Sequence, residues 1–146
     1  MSGEFLLDVN VLIAMAWPTH GDHARVQQWL AGQTRSPWAT CPLTQSAFVR
    51  ILSNPAFSPD ALTPRDALAL LRANMAHPHH CFWEEDVSFV QAVEPFGKRL
   101  VGHRQVSDAY LLGLVIHKKG KLATLDRGVL ALLPENSPER NRVVVV

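Results

Sequence analysis

FLLDVNVLIA, residues 5–14, is the segment from which the fold of this chain follows. Its apolar beginning predicts a buried strand that ends at Asp8, and the apolar run from Val11 to Ala14 predicts a short helix directly afterwards. A carboxylate at such a position costs free energy, because an unpaired charge is expensive to remove from water. Open α/β sheets bind ligands at the carboxyl ends of their strands. Asp8 is therefore a candidate site residue.

Two further aspartates occupy comparable places. Asp126 ends the apolar stretch LATLD, residues 122–126, and Asp108 precedes an apolar run in a segment that the pattern predicts to be the first turn of a helix. Taken singly, each has a structural explanation: Asp108 favours a helix start, and Asp8 and Asp126 suit turns. Taken together, they favour an acidic pocket for Mg²⁺ or Mn²⁺, which prefer oxygen ligands. Such a pocket predicts an enzyme that acts on a polyanion.

The rest of the chain alternates between strand and helix patterns. Further strands are predicted at 37–41, 81–83, 122–125 and 143–146. Helices are predicted to start near His20–Asp22, Thr44, Thr63 and Ser107, with a weak helix at 87–93 and a loop at 99–105. This alternation predicts an α/β fold with a mostly parallel central sheet and helices on both faces.

Composition restricts the possible classes of protein. The 146 residues suit one domain, 1–146, and 47% apolar with 18% charged residues excludes a disordered chain. Lys plus Arg number 14 and Asp plus Glu 13, so any nucleic-acid contact must come from a local basic patch. We expect a cytoplasmic protein, because no signal peptide or membrane span is evident and Cys41 and Cys81 lack a C-x-x-C spacing.

Several basic residues lie near the predicted site. Arg50 and Arg104 are candidates for phosphate contacts, because arginine binds phosphate through paired hydrogen bonds. Arg50 has an equal alternative, an ion pair with one of the site acids. The segment HPHHC, residues 77–81, resembles a zinc site in composition but crowds its ligands onto one short stretch. A loop leading into a strand is the favoured interpretation.

Four segments resemble motifs of a known family. LLDVNVLIA, residues 6–14, is similar to the opening of a PIN domain, the fold of VapC-type toxin ribonucleases. CPLTQSAFVRILSNP, residues 41–55, resembles the second motif of a VapC subgroup. VSDAYLL, residues 106–112, and LATLDRG, residues 122–128, resemble the third and fourth motifs. The resemblance runs through nearly the whole chain in matching order.

The resemblance implies a PIN-like fold and a Mg²⁺- or Mn²⁺-dependent endoribonuclease, the toxin of a type II toxin–antitoxin pair. Asp8, Asp108 and Asp126 would then bind the metal, and Asn10 and Thr124 would support them beside the substrate. The implied partners are RNA, an antitoxin whose C-terminal segment covers the acidic pocket, and a second copy of the chain in a homodimer.

The chain departs from the family at Gln45, where the second motif normally has a glutamate. An amide adds no charge, so we expect weaker metal binding and weaker cleavage, whether Gln45 is a natural variation or an engineered change. An alternative function is a degenerate, non-catalytic PIN module that binds RNA or an antitoxin. A phosphatase of the haloacid-dehalogenase type would need Asp-x-Asp, and Asn10 stands at the second acidic position.

Overall fold

A parallel sheet forms the centre of the molecule. The computed structural model describes residues 4–33 and 36–146, and across these ranges it contains a five-stranded sheet in the order β3-β2-β1-β4-β5. Every neighbouring pair of strands is parallel. The strands are β1 (Phe5–Leu7), β2 (Trp38–Thr40), β3 (His80–Phe82), β4 (Lys121–Thr124) and β5 (Val143–Val145). The predicted α/β fold with a parallel sheet is confirmed.

Helices cover the sheet and connect its strands. They are α1 (Val9–Ala16), α2 (His23–Gly32), α3 (Pro42–Leu52), α4 (Pro64–Met75), α5 (Phe89–Val93) and α6 (Val106–Lys118). Short 3-10 turns occupy Glu94–Arg99, His103–Gln105, Arg127–Leu132 and Pro138–Arg142. Within residues 4–33 and 36–146, none of these helices has the length and apolar content that crossing a lipid bilayer requires.

Apolar side chains pack on both faces of the sheet. Among the described residues they form two clusters, and β1 contributes Leu6 to one and Phe5 and Leu7 to the other. This division follows from the pleat, which directs successive side chains of a strand to opposite faces. The first cluster contains much of α5 and α6, and the second contains residues of α1, α3 and α4. All of β1 is buried, as a central parallel strand requires.

Some predicted helix starts were wrong. α3 begins at Pro42 and not at Thr44, because proline suits the first helical position. Thr44 instead lies within the first turn, where its hydroxyl oxygen accepts from the Cys41 backbone N–H at 3.0 Å. Ser107 does not cap α6: Gln105 precedes the helix, and no side-chain cap bond forms there. Thr63 does cap α4, accepting from the Asp66 N–H at 3.1 Å.

The strand boundaries differ from the predicted ones by about one residue, as is common at the ends of elements. β3 begins at His80, one residue earlier than predicted, and β4 ends at Thr124. Asp126 therefore follows the strand after one intervening residue. Part of the predicted loop at 99–105 is a 3-10 turn, and the Gln105 side-chain oxygen accepts from the backbone N–H of Val101 at 2.6 Å.

Candidate metal centre

Parallel pairing brings the carboxyl ends of β1 and β4 side by side. Leu7 pairs with Ala123, so Asp8 and Thr124, the next residues, are also neighbours. The Asp8 N–H donates to the Ala123 carbonyl at 2.9 Å, which continues the ladder to the last residue before α1. Residues more than a hundred positions apart in the sequence therefore meet at this edge.

Asp8 is a buried carboxylate with both oxygens occupied. It is 4% exposed. Its Oδ1 accepts from the Val9 N–H at 2.7 Å, which caps α1, and its Oδ2 accepts from the Thr124 hydroxyl at 2.8 Å. Burial raises the pKa of Asp8, these two hydrogen bonds lower it, and the charge of Asp126 raises it again. The two bonds orient Asp8 within its buried position.

Thr124 joins several parts of the site. Besides donating to Asp8, its hydroxyl oxygen accepts from the Asn10 amide at 3.3 Å and from the Asp126 backbone N–H at 3.0 Å. The Asn10 side-chain oxygen accepts from the Leu125 N–H at 3.1 Å. Asn10 and Thr124 therefore tie the turn after β4 to the start of α1, beside the aspartates.

Asp126 lies at the open side of the same turn. It is exposed, and its Oδ1 accepts from the Gly128 N–H at 2.8 Å at the start of a 3-10 turn. A Cβ atom added to Gly128 would lie 2.9 Å from this oxygen, so glycine suits the close approach. The turn role expected of Asp126 is present, and its second oxygen has no hydrogen-bond partner among the described residues.

Asp108 differs from the other two acids. It is half-buried in the first turn of α6 and forms no hydrogen bond or ion pair with any residue in the described ranges. Burial, and then the charges of Asp8 and Asp126, raise its pKa to about 7. The charges of Asp8 and Asp126 act on Asp108, so the three aspartates that the sequence singled out lie within electrostatic range of one another.

These residues fit a hard divalent cation by their chemistry. The donors are carboxylate oxygens, one of them on a half-buried acid without a partner among the described residues. Within those residues, no three His, Cys, Asp or Glu side chains converge into a compact ligand set. Mg²⁺ does not require one, because it commonly uses one or two carboxylates and keeps several waters. A cation would also relieve the repulsion that raises the pKa of Asp108.

Gln45 stands in α3, which follows β2 at the same edge of the sheet. It is half-buried, and its side-chain Nε2 donates to the Thr40 hydroxyl oxygen at 2.9 Å. Among the described residues no hydrogen bond joins Gln45 to an aspartate of the site. Its amide is therefore held by the end of β2.

Both candidate arginines are on the surface. Arg50 lies in the last turn of α3, and Arg104 lies in the 3-10 turn directly before α6. Neither forms an ion pair with an acid in the described part of the chain, so the alternative in which Arg50 holds a site acid is not realised there. Both remain exposed cations near elements that carry site residues.

Thr40 and Glu85, near α3, were missed by the sequence patterns, and His80 was considered only as part of the segment 77–81. The Thr40 hydroxyl lies between Gln45 and the His80 ring, whose Nε2 is 2.7 Å away. The Glu85 carboxylate accepts from the Leu43 N–H at 2.6 Å, an anion at a helix start. No local spacing could reveal either contact, because the partners are 40 and 42 residues apart. His80 itself lies in β3, in agreement with a segment that leads into a strand.

Comparisons with known proteins find relatives of this chain. The chain is 44% identical over 127 residues to ribonuclease VapC38 of Mycobacterium tuberculosis, covering 87% of this chain and 88% of that protein. It is 41% identical to ribonuclease VapC29 of that organism, covering 87% and 89%, and 39% identical to ribonuclease VapC39, covering 83% and 87%. No protein-family model matches.

A solved structure shares the fold. The VapBC2 structure from Rickettsia felis, bound to a DNA fragment from its promoter, superposes with a TM-score of 0.60 at 9% identity, covering 93% of this chain and 94% of that one. At this identity the likeness concerns the fold alone. The sequence relatives decide the family: this chain belongs to the VapC family of ribonucleases, which are built on the PIN fold.

Proposed function

We propose that this protein is a Mg²⁺- or Mn²⁺-dependent endoribonuclease and the toxin of a type II toxin–antitoxin pair. One observation carries the metal dependence: the charges of Asp8 and Asp126 help to raise the pKa of Asp108 to about 7. Three carboxylates facing one region are costly without a cation. The names of the relatives support the ribonuclease activity.

Each residue of the site has a task in this proposal. Asp8, Asp108 and Asp126 hold the cation, and Thr124 keeps one oxygen of Asp8 in place through its 2.8 Å hydrogen bond. Asn10 fixes the turn that carries Asp126. When bound, the cation supplies charge stabilisation for a phosphodiester and activates water for attack.

The substrate and partners follow from the family and from the surface. Arg50 and Arg104 are exposed and contact the RNA phosphates in this proposal. The VapBC2 neighbour supports an antitoxin as partner. We further propose that the toxin pairs with a second copy of itself and acts in the cytoplasm, where its RNA is found.

Gln45 makes the site less acidic than that of a relative with glutamate. We propose that this lowers affinity for the cation and slows cleavage, because an amide contributes no charge at that place. Gln45→Glu is then expected to cleave RNA faster at limiting Mn²⁺. Equal rates across a Mn²⁺ titration would contradict this attenuation.

A fluorescent RNA assay tests the main proposal. Cleavage is expected with Mn²⁺ or Mg²⁺, to stop with a chelator, and to be lost in Asp8→Asn. Asp66→Asn, at an exposed acid in α4 outside the candidate site, is a matched control. The second candidate, a non-catalytic module, is favoured by the neutral amide at Gln45. RNA binding without cleavage in both the wild type and Asp8→Asn would support that module and refute the nuclease.

A further inference from the structure

A second polar network stands beside the acidic cluster and includes Gln45. Its centre is Thr40, the last residue of β2, whose side chain is fully buried. The Thr40 hydroxyl oxygen lies 2.9 Å from the Gln45 Nε2 and 2.7 Å from the His80 Nε2. These contacts connect α3 to β2 and β3.

The numbers of hydrogen-bond donors and acceptors determine which groups in this network donate and which accept. A hydroxyl has one proton to donate and two lone pairs that accept. Because the Gln45 amide donates to the Thr40 oxygen, the Thr40 proton is free to be given to His80. When the Thr40 proton is given to His80, the His80 Nε2 accepts it, and the neutral ring carries its proton on Nδ1.

The pKa of His80 supports a neutral ring. Burial lowers this pKa, the Met75 backbone raises it by less, and the charge of His77 lowers it further. A neutral ring has one nitrogen that can accept, which fits the role of Nε2 toward the Thr40 hydroxyl. The network runs from Gln45 through Thr40 to His80.

The reverse orientation of Gln45 does not satisfy these groups. If the Gln45 carbonyl faced Thr40, it would take the hydroxyl proton, and His80 would have to donate from Nε2. The other ring nitrogen, Nδ1, would then carry no proton at a half-buried place, and the ring would lose the Met75 interaction that raises its pKa. Unpaired polar groups away from water are costly.

We propose that Thr40 and His80 are positioning residues that hold the Gln45 carboxamide in one orientation, with its NH₂ group on Thr40 and its carbonyl oxygen left for the site. This inference deepens the proposed function. It concerns the one motif position at which the chain departs from its family. Gln45 is matched to its neighbours, because the network accepts a donor at this position.

A carboxylate at position 45 would conflict with the network. Glutamate has no proton to give, so Thr40 would have an acceptor on each side and one proton for both. The conflict is relieved when the His80 Nε2 carries a proton and donates to Thr40, either as the neutral Nε2–H tautomer or as the doubly protonated ring. The charge gained by Gln45→Glu is therefore coupled to a change in His80, which packs against Trp38 and next to His77.

Nuclear magnetic resonance of the full chain tests this without reference to cleavage. Long-range ¹H–¹⁵N spectra of the wild type at neutral pH are expected to show the Nδ1–H form of His80. In Gln45→Glu, the same spectra are expected to show a proton on Nε2 of His80. An Nε2–H ring in the wild type, or a His80 signal unchanged in Gln45→Glu, would overturn the proposal.

Substitutions at Thr40 separate positioning from a merely structural role. Thr40→Val removes the hydroxyl, and we expect loss of the His80 preference for Nδ1–H and exchange of the Gln45 NH₂ protons that is at least about tenfold faster. Thr40→Ser keeps the hydroxyl and is expected to keep both properties. Unaltered Gln45 exchange in a folded Thr40→Val would refute the proposal, and if that variant does not fold, Gln45→Glu decides.

Activity then links the network to the proposed function. With Mn²⁺ and RNA, kcat of Thr40→Val is expected to fall about tenfold with KM little changed, and Thr40→Ser to restore it. If the wild type shows the Nδ1–H ring and a protected Gln45 amide but cleaves no RNA, the nuclease proposal fails and the orientation of Gln45 stands. If the wild type cleaves RNA but carries an Nε2–H ring, the orientation of Gln45 is refuted and the nuclease proposal stands.

Discussion

Asp108→Asn should make the protein more stable and less active. The substitution keeps the shape of the side chain and removes the charge that burial and the neighbouring acids make costly. A carboxylate in the first turn of a helix also gains from the helix dipole, by about 0.3–1 kcal/mol at exposed sites. Because the pKa of Asp108 is raised despite this gain, the unfavourable effects are larger than the dipole effect.

The size of the stability change in Asp108→Asn, and the pH range in which it appears, follow from the pKa of Asp108. Asp108 goes from its usual 3.8 to about 7, and at about 1.36 kcal/mol per pKa unit this corresponds to about 4 kcal/mol if solvent screened nothing. The side chain is only half-buried, so we expect about 1–2 kcal/mol after screening. Below pH 3.8 both states are protonated. As pH rises toward 7 the unfolded chain loses its proton and the folded chain keeps it, so wild-type stability falls across this window.

Urea unfolding followed by tryptophan fluorescence measures the effect, since the chain has four tryptophans. With a chelator present, the excess stability of Asp108→Asn is expected to be small near pH 4, to grow up to about pH 7 and to level off above it. Adding Mn²⁺ should stabilise the wild type more than the variant. Asp108→Asn should also lose Mn²⁺-dependent RNA cleavage while it gains stability.

Asp66→Asn is the matched control. Asp66 is also an aspartate in the first turn of a helix, but it is exposed. Its substitution should lower stability slightly by weakening the interaction with the helix dipole. If Asp108→Asn were no more stable than the wild type at about pH 8, or if its effect did not depend on pH, the three acids would not share one desolvated region.

Three further predictions concern the surroundings of the site. Thr124→Val removes the donor to the buried oxygen of Asp8, and we expect a loss of about 1–3 kcal/mol by urea unfolding; a value equal to wild type would show that this bond adds nothing. Gly113→Ala places a Cβ 2.2 Å from the α5 backbone and should cost about 2 kcal/mol or more, whereas Gly32→Ala meets nothing within 4 Å and should be neutral or stabilising. Burial raises the pKa of Cys41 to about 11, so its thiol should resist alkylation at about pH 8 until urea unfolds the chain, and fast native labelling would contradict that burial.

Much of the fold could be predicted from local sequence patterns. The strand ending at Asp8, the helix after it and the alternation of strands and helices predict a parallel sheet, because each apolar period reports how one segment is buried. Capping residues located α4 well, since Thr63 and Pro64 satisfy the helix start locally. The start of α3 was misplaced at Thr44, although Pro42 suits the first helical position.

The residues of the candidate site could be predicted from the sequence, but their geometry could not. Asp8, Asp108 and Asp126 were selected because each adjoins an apolar run. That pattern contains no information about their hydrogen-bond partners. The hydrogen bond between Asp8 and Thr124 joins residues 116 positions apart. The different burial of Asp108 and Asp126 depends on the packing of α6 and of the turn after β4.

The identity of the site residues and the long-range contacts that they make thus have different origins. The order of residues specified which acids this chain carries, the absence of one at Gln45, and the elements that hold them, because propensity and periodicity are local properties. Folding specified that Asp108 has a pKa of about 7 and that Gln45 donates to Thr40 beside His80. Desolvation, repulsion and hydrogen-bond direction depend on neighbours in space, and distant segments become neighbours when the parallel sheet and its helices assemble.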